Sequence, residues 1–140
     1  MRLSISVSLF FIMFLTGCSN KANSTLSVNQ IKCTGYVNPV GTVKIPDFSW
    51  ILKSDERGQI QTAYQIIIGS DSAIVKKGKG DIWDSGKIAS DESAWIPYKG
   101  SPLQPAKEYF WRVRVWDGKD NPTSWSTTGK FVSGLFDRKD

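Results

Sequence analysis

Histidine does not occur anywhere in the 140 residues. His-based catalytic triads, histidine metal sites and imidazole general bases are therefore absent. Cysteine occurs twice, as Cys18 and Cys33, which is too few for a zinc cluster and leaves no Cys/His pair. No Gly-rich loop follows a strand and opens a helix, so nucleotide binding has no support and no cofactor is expected. Runs of basic residues are also missing. The formal charge of +5 is spread along the chain, and a nucleic-acid partner is not expected from so weak a footprint. The longest apolar run, residues 3–15, is broken by Ser4, Ser6 and Ser8 and is too short to span a membrane.

That run has a different use. Arg2 supplies a short positive start, and Leu15-Thr16-Gly17-Cys18 closes the segment with small residues. The pattern matches a bacterial lipoprotein box, where a signal peptidase cuts before a Cys whose thiol carries diacylglycerol. Residues 1–17 are thus expected to be a signal peptide and Cys18 the lipidation site. The protein would be exported and held on a bacterial membrane, in the periplasm or at the cell surface, by several acyl chains. An ordinary secretory peptide or an uncleaved helix with Cys at this point is the alternative. Lipidation of Cys18 would leave Cys33 without a partner, so no disulfide staples the fold. Cys33 is expected to be a small buried residue on an early strand rather than a reactive thiol.

Residues 18–27 are polar and rich in Asn, Ser and Lys, as a tether would be. The domain is expected over 28–140, a length suited to one core. Strand-like runs recur through it with turn signals between them. The first covers residues 27–33, and Pro39, Gly41 and Pro46 then punctuate a loop. Phe48, Trp50 and Leu52 alternate with Ser49, Ile51 and Lys53 in the second. The third, 62–69, carries apolar residues on both faces, as a central strand should. Residues 76–80 read as a flexible basic turn. A fourth strand is expected over 81–88 and a fifth over 93–98, where Pro97 requires a sheet edge. The sixth, 109–117, alternates strictly and the seventh covers 129–135. No helical periodicity is evident. The expected fold is all-β, a seven-stranded immunoglobulin-like sandwich of fibronectin type III kind.

A local pattern supports this. Leu103 and Tyr109 flank the turn into the sixth strand, which looks like the tyrosine corner of fibronectin type III domains. A buried phenol must satisfy its hydroxyl, here on the loop backbone. Tyr109, Trp111, Val113 and Val115 should then face the core, with Phe110, Arg112, Arg114 and Trp116 outward. Trp125 is placed to stack on the guanidinium of Arg112 or Arg114, a structural device.

Six tryptophans are present. Trp50 and Trp111 are core by alternation, whereas Trp83, Trp95, Trp116 and Trp125 are candidates for partial exposure. Exposed indoles serve either a neighbouring domain or the C–H face of a sugar. Trp83, Trp95 and Trp116 are the candidate contacts. Glycoside hydrolysis needs only two carboxylates, and Asp81 and Asp84 flank Trp83. Turn capping accounts for these more simply, as it does for Asp55-Glu56 and Asp91-Glu92. No catalytic residue and no metal ligand is assigned.

Taken in order, several segments resemble the N-terminal accessory domain of bacterial α-L-rhamnosidases of glycoside hydrolase family 78. These are Phe48-Ser49-Trp50, Arg57-Gly58, Gln61-Thr62-Ala63-Tyr64-Gln65, Trp83-Asp84-Ser85-Gly86-Lys87, Ser90-Asp91-Glu92-Ser93, residues 109–117, Ser124-Trp125-Ser126 and Gly134-Leu135-Phe136. The resemblance covers residues 40–136. It implies complete enzymes that cleave terminal α-L-rhamnose from plant glycosides and pectic side chains with inversion. Their acid and base lie in a downstream helical toroid, and no position here matches them. The chain is thus expected to be a non-catalytic accessory domain without its catalytic partner. A free-standing cell-surface module that binds plant glycan or protein is the second possibility.

Overall fold

A computed structural model describes residues 24–136. The expected signal peptide over residues 1–17, the expected lipidation site Cys18 and residues 137–140 lie outside the described residues. Nine strands and one short helix follow one another in the order β1 (Ser27–Cys33), β2 (Val40–Thr42), β3 (Asp47–Lys53), β4 (Ala63–Gly69), α1 (Ser72–Lys76), β5 (Trp83–Asp84), β6 (Ile88–Ala89), β7 (Ile96–Pro97), β8 (Glu108–Trp116) and β9 (Gly129–Ser133). They form two sheets. One is β1-β3-β7; the other is β2-β9-β8-β4-β5, with β6 also on β4. This is an immunoglobulin-like β-sandwich. Among the described residues no helix is long and apolar enough to cross a membrane.

Period-two alternation builds the core directly. Ile31 and Cys33 from β1 and Phe48 and Trp50 from β3 face Tyr64, Ile66, Ile68, Tyr109, Trp111, Val113, Val115 and Phe131 of the opposite sheet. Phe48 sits at the centre, its ring 4.7 Å from that of Trp111 and 6.0 Å from that of Phe131. Aromatic pairs at tilted and edge-on angles stabilise beyond their buried area. The Trp50 indole donates to Gln61 Oε1 at 3.1 Å, and Gln61 Nε2 donates to the carbonyls of Ser90 and Glu92 at 3.1 and 2.8 Å. A buried amide is thus satisfied on three sides.

The structure departs from the sequence-based expectation in five places. First, the loop punctuated by Pro39, Gly41 and Pro46 contains β2, which pairs in parallel with β9 through Val40↔Val132 and Thr42↔Ser133. Second, the single strand expected over 81–88 is two short pieces, β5 and β6. The chain turns between them at Gly86, whose φ is 64°, a conformation glycine adopts without strain. Third, α1 precedes the basic turn. Asp71 caps it by accepting the Ala73 N–H at 2.6 Å. One turn is too short to show periodicity, and only Val75 is buried. Val75 lies against the outer face of β4, where Ile67 is fully buried; this explains the apolar residues on both faces of β4. Gly69 permits this approach, since a Cβ there would stand 2.8 Å from Val75 Cγ1. Fourth, the domain starts earlier than residue 28. Leu26 is buried, Ser24 N–H donates to Pro122 O at 3.4 Å, and Ser27 opens β1. The polar tether expected over 18–27 therefore ends sooner. Fifth, Trp116 lies on the outer face beside Arg114 but is buried there rather than exposed.

Pro97 takes the edge position expected of it. Among the described residues β7 pairs with β3 alone, through Asp47↔Pro97 and Phe48↔Ile96, so the missing N–H interrupts no ladder.

Candidate functional site

The four tryptophans that were candidates for exposure separate into three settings. Trp83 on β5 turns inward, its ring 5.2 Å from Tyr98 and 6.4 Å from Phe48. It is a half-buried extension of the core. Trp116 and Trp125 belong to one stack. The Arg114 guanidinium lies 4.9 Å from the Trp116 ring and 4.6 Å from the Trp125 ring, and Lys87 Nζ lies 5.0 Å from Trp116. The cations cover the indole, which is why Trp116 is buried although it follows the outward-facing Arg114 by two residues. Gln65 Oε1 accepts from Arg114 Nε at 2.9 Å and fixes the guanidinium plane. Burial lowers the Arg114 pKa, while Asp84 opposes that shift.

Arg112 is not in the stack. Its Nε donates to Ser126 O at 2.7 Å, and its guanidinium reaches the Val75 and Lys76 carbonyls at the end of α1. Of the two arginines, Trp125 stacks on Arg114.

Trp95 stands alone, 71% exposed, beside the outer face of the three-stranded sheet. Gln30, Lys32, Ser49, Ile51 and Ser93 surround it in one groove. Strand alternation sends Gln30, Lys32, Ser49 and Ile51 outward, because Ile31, Cys33, Phe48 and Trp50 point into the core. Those outward positions were open to inspection in the sequence; their meeting with Trp95 was not. It depends on a bulge in β1 between Asn29 and Lys32 and on the pairing of β3 with the segment before β7.

The tyrosine corner forms around Leu103, which is buried, and Tyr109. The Tyr109 hydroxyl accepts the Gln104 backbone N–H at 2.9 Å, and its ring stacks on Phe131 at 5.4 Å.

The carboxylates near Trp83 are committed to the backbone. Asp81 accepts from Ser70 N–H at 2.8 Å and from the Ser70 hydroxyl. Desolvation raises its pKa, but these donors outweigh it and hold the carboxyl below its ordinary value. Asp84 accepts from Gln65 Nε2 and Gly86 N–H, each at 2.8 Å. Both are turn-fixing groups. Among the described residues no cluster of three or more His, Cys, Asp and Glu side chains could hold a metal ion.

A family model described as the Rha78A-like N-terminal immunoglobulin domain matches residues 28–137. The chain belongs to this family. An α-L-rhamnosidase of Formosa agariphila is 31% identical over 132 residues, covering 92% of this chain and 14% of that protein. One from Streptomyces avermitilis is 42% identical over 90 residues, covering 64% and 8%. Among solved structures, the α-L-rhamnosidase of Dictyoglumus thermophilum superposes with a TM-score of 0.77 at 41% identity, over 81% of this chain and 13% of that one. The Streptomyces avermitilis enzyme in complex with L-rhamnose gives 0.75 at 38% identity, over 79% and 11%. The chain spans between 8% and 15% of the length of the curated relatives it matches. It corresponds to their N-terminal accessory domain and not to a catalytic one.

Proposed function

We propose that this domain serves as the N-terminal accessory module of an α-L-rhamnosidase, a protein that hydrolyses terminal α-L-rhamnose from glycosides and pectic side chains. The observation that carries this is the match of residues 28–137 to the family's N-terminal immunoglobulin domain. The module contributes framework and contact surface, and a rhamnosidase catalytic domain is its natural partner. The acid and base belong to that domain, consistent with the backbone commitments of Asp81 and Asp84. The test is release of nitrophenol from p-nitrophenyl α-L-rhamnoside by the purified chain beside an intact rhamnosidase. No release is expected. Turnover that survived repurification and fell in Asp81→Asn or Asp84→Asn would overturn the assignment.

The export pattern ending at Leu15-Thr16-Gly17-Cys18 supports a second element of the proposal, a lipid anchor on Cys18 that holds the module at a bacterial membrane. Cys18→Ala should move the protein from the membrane fraction to the soluble fraction. Unchanged membrane association would sink the anchor.

A further inference from the structure

A groove with a cavity volume of about 320 Å³ crosses the outer face of the three-stranded sheet, lined by Gln30, Lys32, Ser49, Ile51, Ser93 and Trp95 among others. Two of these residues hold unusual backbone. Trp95 has φ 58° and Gln30 has φ 43°. Positive φ is uncommon outside glycine and an outlier for a bulky side chain. Such strain persists only where the surroundings enforce it, and it concentrates at sites that bind or react. Here the enforcement is visible. Trp95 N–H donates to Ser49 Oγ at 3.0 Å, and Trp50 N–H donates to Ser93 O at 2.9 Å. The segment before β7 is thereby clamped to β3 on both sides. In β1, the bulge between Asn29 and Lys32 reshapes the opposite wall, and bulges are a common means of re-aiming a side chain.

The clamp presents an indole that the core does not use, since Trp95 is 71% exposed. Beside it lie an amide, two hydroxyls, an ammonium and the exposed Ile51 side chain. Ser49 Oγ accepts from the Trp95 backbone and retains its O–H to donate. Among the described residues no carboxylate lines the groove. An apolar platform ringed by a few fixed polar groups is the arrangement of a small-molecule site, and a flat indole suits the C–H face of a sugar ring. Holding the platform in place before binding removes part of the ordering cost.

We propose that this groove binds a pyranose unit of a glycan, with Trp95 as the stacking platform and Gln30, Lys32, Ser49 and Ser93 as partners for its hydroxyls. This goes beyond the accessory role proposed above and does not depend on it.

The experiment is an NMR titration of the full ¹⁵N-labelled chain with methyl α-L-rhamnopyranoside, methyl α-D-glucopyranoside and methyl α-D-galactopyranosiduronate. Saturable shifts are expected for at least one sugar at the Trp95 indole and at the Ser49, Ile51 and Ser93 amides. Gln30→Ala and Lys32→Ala, both surface changes, should weaken binding several-fold. Trp95→Gly should abolish the shifts and leave Tm equal or higher, because glycine tolerates the positive φ. The proposal is overturned if none of the three sugars gives a saturable shift at Trp95. It is equally overturned if binding survives Trp95→Gly. Loss of fold or a Tm several degrees lower in Trp95→Gly would make Trp95 a packing residue and end the proposal as well.

Discussion

The Tyr109 hydroxyl accepts the backbone N–H of Gln104 at 2.9 Å, so the residue that opens the buried face of β8 also closes the loop leading into it. Tyr109→Phe keeps the stack on Phe131 but orphans that N–H. The net cost of one such hydrogen bond is about 1 kcal/mol, which in a domain of this size lowers Tm by about 4 °C. Thermal denaturation followed by circular dichroism measures it. An unchanged Tm would show that the corner contributes packing alone.

Arg114 between Trp116 and Trp125 makes a separable contribution. The stack should show a coupling energy of about 0.5–1 kcal/mol between Arg114 and Trp125 in a double-mutant cycle built from Arg114→Met and Trp125→Leu. Chemical denaturation of the four proteins supplies the cycle. Strict additivity would reduce the arrangement to coincidental proximity.

Gln61 predicts a larger effect. Its side chain accepts from the Trp50 indole and donates to the Ser90 and Glu92 carbonyls. Gln61→Leu preserves volume and leaves those groups unpaired next to the core. A buried orphan costs roughly 1–3 kcal/mol, so the loss should exceed that of Tyr109→Phe. Equal or smaller destabilisation in urea unfolding would mean that water reaches the site.

How far these features could be read in advance depended on whether they are local. β1, β3 and β8 were legible because each buries alternate residues, and Pro97 marked its strand as an edge. The pairing of Leu103 with Tyr109 was equally legible, being a fixed spacing with one physical purpose. β2 was not, since three residues between prolines become a strand only by lying beside β9. The burial of Trp116 was missed because its cover is only partly local. Alternation placed it on the outer face, where Arg114 of the same strand and Lys87 of the turn between β5 and β6 cover it. Among the candidate site residues, Trp95 alone stands as an exposed platform, while Trp83 joins Tyr98 and Phe48. The groove around Trp95 rests on a bulge and two positive-φ residues, which no residue pattern announces.

Cys33 offers a prediction with a defined sign. It is 1% exposed on β1, and burial is the main cause that pushes its thiol pKa from 9.0 to about 12. At pH 8 Cys33 of the native protein should therefore not react with a thiol reagent such as iodoacetamide, and its labelling should require unfolding. The same shift makes stability depend on pH. Above pH 9 the unfolded thiol loses its proton while the native thiol keeps it, so the native state binds more protons and stability falls as pH rises. The limiting slope from this group is about 1.4 kcal/mol per pH unit, reached between the two pKa values. Below pH 9 its contribution is constant. Cys33→Ala should cost about 1 kcal/mol at pH 7 by leaving a small cavity, yet should flatten the decline between pH 9 and 11. Urea midpoints of both proteins across that range decide the matter. Parallel curves would show that the native thiol ionises as readily as the unfolded one.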